Sequence, residues 1–63
     1  MKVNEIIKLI EADGGVMVRM SGSHRQFKHP AKPGLVTVAG KLSGTLPPGT
    51  EQSILKQAGV RRP

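Results

Sequence analysis

Val3, Ile6, Ile7 and Ile10 recur at the i, i+3, i+4, i+7 spacing of an amphipathic helix, with Glu5, Lys8 and Glu11 on the other side. Asp13-Gly14 supplies its stop, because glycine adopts the left-handed conformation past a helix end at little cost. Val16, Val18 and Met20 then alternate with Met17, Arg19 and Ser21, the period of a strand. Gly22-Ser23 interrupts before a second extended segment, His24 to His29, so the pair reads as a hairpin. If Phe27 points at the core, alternation places His24, Gln26 and Lys28 together on the opposite face. Leu35 to Ala39 forms a third short strand after the turn made by Pro30, Pro33 and Gly34. Gly40 to Gly49 reads as a loop, and Thr50 as the cap of a second helix carrying Ile54, Leu55 and Ala58. Gly59 ends that helix, with Val60 folding back on Ile54 or Leu55.

This pattern predicts an α+β domain in the order helix-strand-strand-strand-helix, a three-stranded antiparallel sheet with both helices on one face. The expected core is Ile6, Ile7, Ile10, Val16, Val18, Phe27, Val36, Val38, Ile54 and Leu55. Residues 1–63 make a single domain, since a chain this short cannot supply two cores, and 61–63 are expected as a frayed basic tail. With one aromatic residue, Phe27, that core is thin and leans on a partner for stability.

Charge adds a partner class. Ten Lys and Arg against four Asp and Glu give +6, and the pI is near 10.6. All four acids, Glu5, Glu11, Asp13 and Glu51, lie outside residues 14–50. That central stretch holds Arg19, Arg25, Lys28, Lys32 and Lys41, so a positive potential gathers on the sheet and its loops, where a phosphate backbone can lie. A single aromatic excludes a base-stacking platform of the kind RNA-recognition modules build. The absence of cysteine removes disulfides and thiolate metal sites, and the longest apolar run, Val16-Met17-Val18, is too short for a membrane span. The expected home is the cytoplasm.

The same stretch holds the candidate chemistry. His24 and His29 stand on opposite faces of a strand with neither cysteine nor carboxylate nearby, a poor set for a metal or a nucleophilic triad. Acid-base chemistry remains: an imidazole exchanges its proton near neutral pH, and backbone N–H groups of the Gly22-Ser23 turn can hold a phosphate oxygen beside Arg25 and Lys28. That kit suits RNA cleavage by its own 2′-hydroxyl, although a histidine beside a turn is more often an ordinary surface residue. For His29, next to Pro30 at a strand end, a structural role is the stronger reading. Met17 and Met20 read as core or edge packing.

At Gly22-Ser23-His24-Arg25-Gln26-Phe27-Lys28-His29-Pro30 the sequence resembles the HicA toxins of bacterial toxin-antitoxin pairs. Ser53-Ile54-Leu55-Lys56-Gln57-Ala58-Gly59 resembles their last helix. The resemblance implies a fold similar to double-stranded-RNA-binding domains, cleavage of mRNA without a metal or other cofactor, an active histidine at His24, and inhibition by a HicB antitoxin. Combined with the charge pattern, it sets an expected RNA-binding group of Arg19, Gly22, Ser23, Arg25, Gln26, Lys28 and Lys41 around His24. The antitoxin is expected to bring acidic side chains to that face. The chain departs from the family pattern in two places. Gly15 stands where many members have an aromatic, removing packing area, and Ala39-Gly40-Lys41 stands where many have a proline and a second histidine, so that histidine's substrate contact is either absent or passed to Lys41. A non-catalytic RNA-binding module of the same fold, and a small protein docking an acidic partner, stay open as alternatives.

Overall fold

In the computed structural model, residues 1–61 are described; Arg62 and Pro63, two of the three residues of the expected tail, lie outside them. The chain runs α1 (Val3–Ala12), β1 (Val16–Ser21), β2 (His24–Lys28), β3 (Val36–Val38) and α2 (Pro48–Ala58). Its sheet is antiparallel in the order β1-β2-β3, as the sequence pattern predicts.

At the start of α1 the Glu5 carboxylate accepts the Lys2 backbone N–H at 2.7 Å, one of the donors a helix start leaves free. The helix closes with Gly14 N–H on the Glu11 carbonyl and Gly15 N–H on the Ile10 carbonyl, the paired bonds of a Schellman stop. That closure explains Gly15. A Cβ there would stand 2.6 Å from Ile10 Cγ2 and 2.9 Å from the Ile10 carbonyl oxygen, so the position has no room for a side chain. The packing area expected to be missing at Gly15 is occupied by the end of the helix itself. α2 ends in the same way, with Gly59 N–H on Lys56, Val60 N–H on Leu55, and Val60 packed against the core.

Its start differs from the expectation. α2 begins at Pro48, and Thr50 is an interior residue, not the cap. Proline at the first helical position supplies a suitable φ and lacks an N–H that would be unpaired anyway, which starts the helix three residues early, with Pro47 in the cap position.

Ile6, Ile10, Phe27, Val36, Val38, Ile54 and Leu55 are buried in one cluster between the sheet and both helices. Val3, Leu46 and Ala58 join them, whereas Ile7 is only partly buried at the margin. Leu46 enters because residues 40–47 wrap the start of α1: Val3 and Asn4 donate to Gly44 and Leu42, and Leu46 donates to Met1.

The main correction concerns β1. Val16 and Val18 are not core residues; they are 59% and 52% exposed, and Met17 and Met20 are 46% and 55% exposed. The register shifts between Met17 and Arg19, with Met17 opposite Phe27, Met20 opposite Arg25, and Arg19 opposite Gln26. Directly opposed residues share a face, so Met17 and Met20 lie on the helix side while Val16, Arg19 and Ser21 lie on the open side. The bulge inserts one residue and reverses the phase of the alternation. With β3 and β2 under the helices, β1 lies at the uncovered margin.

Candidate functional site

The open face is built from rows of residues opposed across the ladder. One row is Arg19, Gln26 and Thr37; beside it stands Ser21 with His24, and on the other side Val16 with Lys28. Phe27, Val36 and Val38 fill the core side of the same strands, and this anchoring turns His24, Gln26 and Lys28 outward. His24 opens β2 directly after the turn. Gly22 has φ +58° and Ser23 has a negative φ, the pattern of a type II′ hairpin turn with glycine at its first central position. His24 is exposed, and its side chain makes no hydrogen bond or ion pair within the described residues, which leaves both ring nitrogens available to a ligand.

The five central cations divide into two groups. Arg25 lies on the helix side, where Nη1 donates to the Ser23 carbonyl at 3.2 Å and the Gly40 carbonyl at 3.0 Å. Lys32 Nζ donates to Asp13 Oδ2 at 2.6 Å and to the Ala58 and Gly59 carbonyls at 3.1 and 3.0 Å. It thereby joins the ends of both helices, where a positive charge is favoured by the helix dipoles. Arg19, Lys28 and Lys41 make no such bonds and remain free for an anion. Lys41 sits in the loop held to the start of α1, so the register does not bring it into the rows around His24.

His29 falls just beyond β2 and has a structural role. Ala31 N–H donates to Nδ1 at 3.0 Å, so Nε2 carries the proton and donates to the Asp13 carbonyl at 2.7 Å. Asp13 also faces His29 Nε2 across 3.6 Å. The Lys32 hydrogen bond holds the Asp13 carboxyl below its usual range, opposed by partial desolvation and assisted by the charges of Lys32 and His29. This cluster pins the loop after β2 to the ends of α1 and α2. Among the described residues, no three histidine, aspartate or glutamate side chains gather as a metal-binding group.

Of the expected RNA-binding group, Arg19, Gln26 and Lys28 share the open face with His24, and Gly22-Ser23 forms the adjoining turn. Arg25 and Lys41 do not join that set. Thr37 and Ser21 do, and both were legible in the alternation: Val36 and Val38 point inward, so Thr37 between them points out.

Among the described residues these features define a two-layer α+β domain whose uncovered sheet face carries His24, exposed and without a side-chain partner, beside Arg19, Lys28 and the Gly22-Ser23 turn. No helix among the described residues is long and apolar enough to cross a membrane. The chain matches the family described as HicA toxin of bacterial toxin-antitoxin over residues 3–60, nearly its whole length. It belongs to the HicA toxin family, and its role is that of the toxin in such a pair. Membership implies a HicB-type antitoxin as partner. None of the curated proteins compared with the chain matches it.

Proposed function

We propose that this toxin is a metal-independent endoribonuclease that cleaves mRNA in the cytoplasm, with His24 as its acid-base residue. The observation that carries the reading is the position of His24: exposed, without a partner, on a face it shares with Arg19, Gln26 and Lys28, immediately after a turn of free backbone N–H groups. Membership of a family of generally RNA-cleaving toxins supports it. In the reaction the 2′-oxygen attacks the adjacent phosphorus and the P–O5′ bond breaks. His24 takes the proton from the 2′-hydroxyl, and the departing 5′-oxygen takes one from water. Arg19 and Lys28 stabilise the charge building on the phosphorane, an interaction stronger in the transition state than in the ground state. Gly22 and Ser23 offer N–H groups to a non-bridging oxygen. Arg25 acts through the turn, holding the Ser23 carbonyl, and Lys41 adds a free cation to the backbone path. The partner antitoxin inhibits by covering this face with acidic side chains.

The products test the chemistry. Pure protein incubated with RNA in EDTA is expected to leave 5′-hydroxyl and 2′,3′-cyclic or 3′-phosphate ends. Ends of 5′-phosphate and 3′-hydroxyl, or activity abolished by EDTA and restored by a divalent ion, would refute it. RNA bound but never cut would favour the non-catalytic binding module.

A further inference from the structure

β1 is an outer strand, and among the described residues no strand pairs with its free side. An unpaired edge offers a row of backbone N–H and C=O groups to any extended chain, and proteins usually blunt such edges by shortness, charged side chains, proline or a bulge. The opposite edge, β3, is blunt in this sense, with three residues. β1 has six residues and no proline; its one charge is Arg19 and its bulge is confined to the step between Met17 and Arg19, so Val16, Met17, Val18 and Met20, all about half exposed, still line the free edge. Its two faces differ in chemistry. Met17 and Met20 lie on the helix side, while Arg19 lies on the open side next to the strand that bears Lys28. A strand laid along this edge would meet apolar groups below and positive charge above.

We propose that the free edge of β1 receives an extended segment of a protein partner, added as a fourth strand, whose side chains alternate between apolar and acidic. The apolar ones pack on Met17 and Met20, and the acidic ones lie over Arg19 toward Lys28. This deepens, and rests on, the reading of the chain as a toxin held by an antitoxin. Strand addition draws affinity from main-chain hydrogen bonds and specificity from alternate side chains, which is what a bulged, two-faced edge can select. A second copy of the chain fits poorly: each carries +6, and a two-fold pairing would set Arg19 near Arg19 and bulge against bulge. The added strand would lie in the rows of Gln26 and His24, so the same acids would neutralise the face that RNA needs.

The test uses the full chain and a short synthetic peptide alternating valine and glutamate, with a valine-lysine peptide as control, read by amide hydrogen exchange. The acidic peptide should slow exchange at alternate amides within Val16–Ser21 about tenfold or more and leave β3 unchanged. The double variant Met17→Ser/Met20→Ser and, separately, Arg19→Glu should each raise the peptide Kd about tenfold. The double variant should cleave RNA within about twofold of the wild-type rate. Protection away from β1, equal binding of the lysine peptide, an unchanged Kd in both variants, or a free chain that dimerises through β1 would overturn the proposal. Absence of RNA cleavage by the peptide-free wild-type protein, with β1 still protected when the acidic peptide is added, would instead count against the ribonuclease reading alone.

Discussion

Val38 and Val18 occupy the same small sheet and differ in what lies over them, so truncating each to alanine isolates the worth of the helix layer. Val38 is fully buried between β2 and the helices, whereas Val18 is 52% exposed on the uncovered strand. Burying a valine side chain contributes roughly 1.5–3 kcal/mol, and removing its two methyls from a packed core forfeits most of that and leaves a cavity. Val38→Ala should therefore cost about 2 kcal/mol. Val18→Ala loses only half-covered area and should cost about 0.5 kcal/mol or less. For a domain of this size about 1 kcal/mol moves Tm by roughly 4–8 °C, giving a fall of about 8–16 °C for Val38→Ala and of about 4 °C at most for Val18→Ala. Thermal melts followed by circular dichroism read both. Equal falls would mean that β1 is covered after all, and the account of the bulge would be wrong.

Gly15→Ala should destabilise the fold as an overpacked core does, by about 1–3 kcal/mol, because the new Cβ meets Ile10 side chain and backbone; a neutral melt would refute the close approach. Asp13 is held below its usual range by Lys32, so the ion pair's contribution is present above the ordinary carboxylate pKa and is lost as pH falls through the lowered one. Asp13→Asn should flatten this acid limb of the melting profile, and an unchanged limb would show that the pair is not coupled to folding. With Arg25 and Lys32 engaged internally, three free central cations remain, and RNA affinity should fall with salt at a log-log slope of about −2 on single strands. Lys28→Ala should shrink that slope by about 0.7 while Glu11→Ala leaves it alone; equal effects would mean the wrong face carries RNA.

The elements that sequence periodicity reveals are those whose neighbours are local. The α1 stripe ending at Gly14, the Gly22-Ser23 hairpin and the Gly59-Val60 stop follow from spacing and backbone preference alone, and all three are present. β1 misled because a bulge is one extra residue with no sequence mark of its own: Val16, Val18 and Met20 alternate on paper, but the chain slips phase between Met17 and Arg19. Leu46 was hidden for another reason. It is an isolated apolar residue in a loop rich in glycine and proline, buried only because that loop wraps α1. The same division holds at the site. Strand alternation alone places His24, Gln26 and Lys28 on one face, yet the withdrawal of Arg25 to Gly40 and of Lys32 to Asp13 depends on residues 15 and 19 positions away. Charge counted along a chain includes cations that the fold has already used.

His24→Ala is the most direct test of the central claim, because it separates chemistry from fold. His24 is an exposed residue without side-chain partners, so its removal should change stability by no more than about 0.5 kcal/mol. RNA cleavage by the same sample, in EDTA and at a protein concentration that saturates binding, should drop roughly a hundredfold or more, since a positioned acid-base residue supplies that much. A folded His24→Ala protein that binds RNA and cleaves it at the wild-type rate would contradict the account.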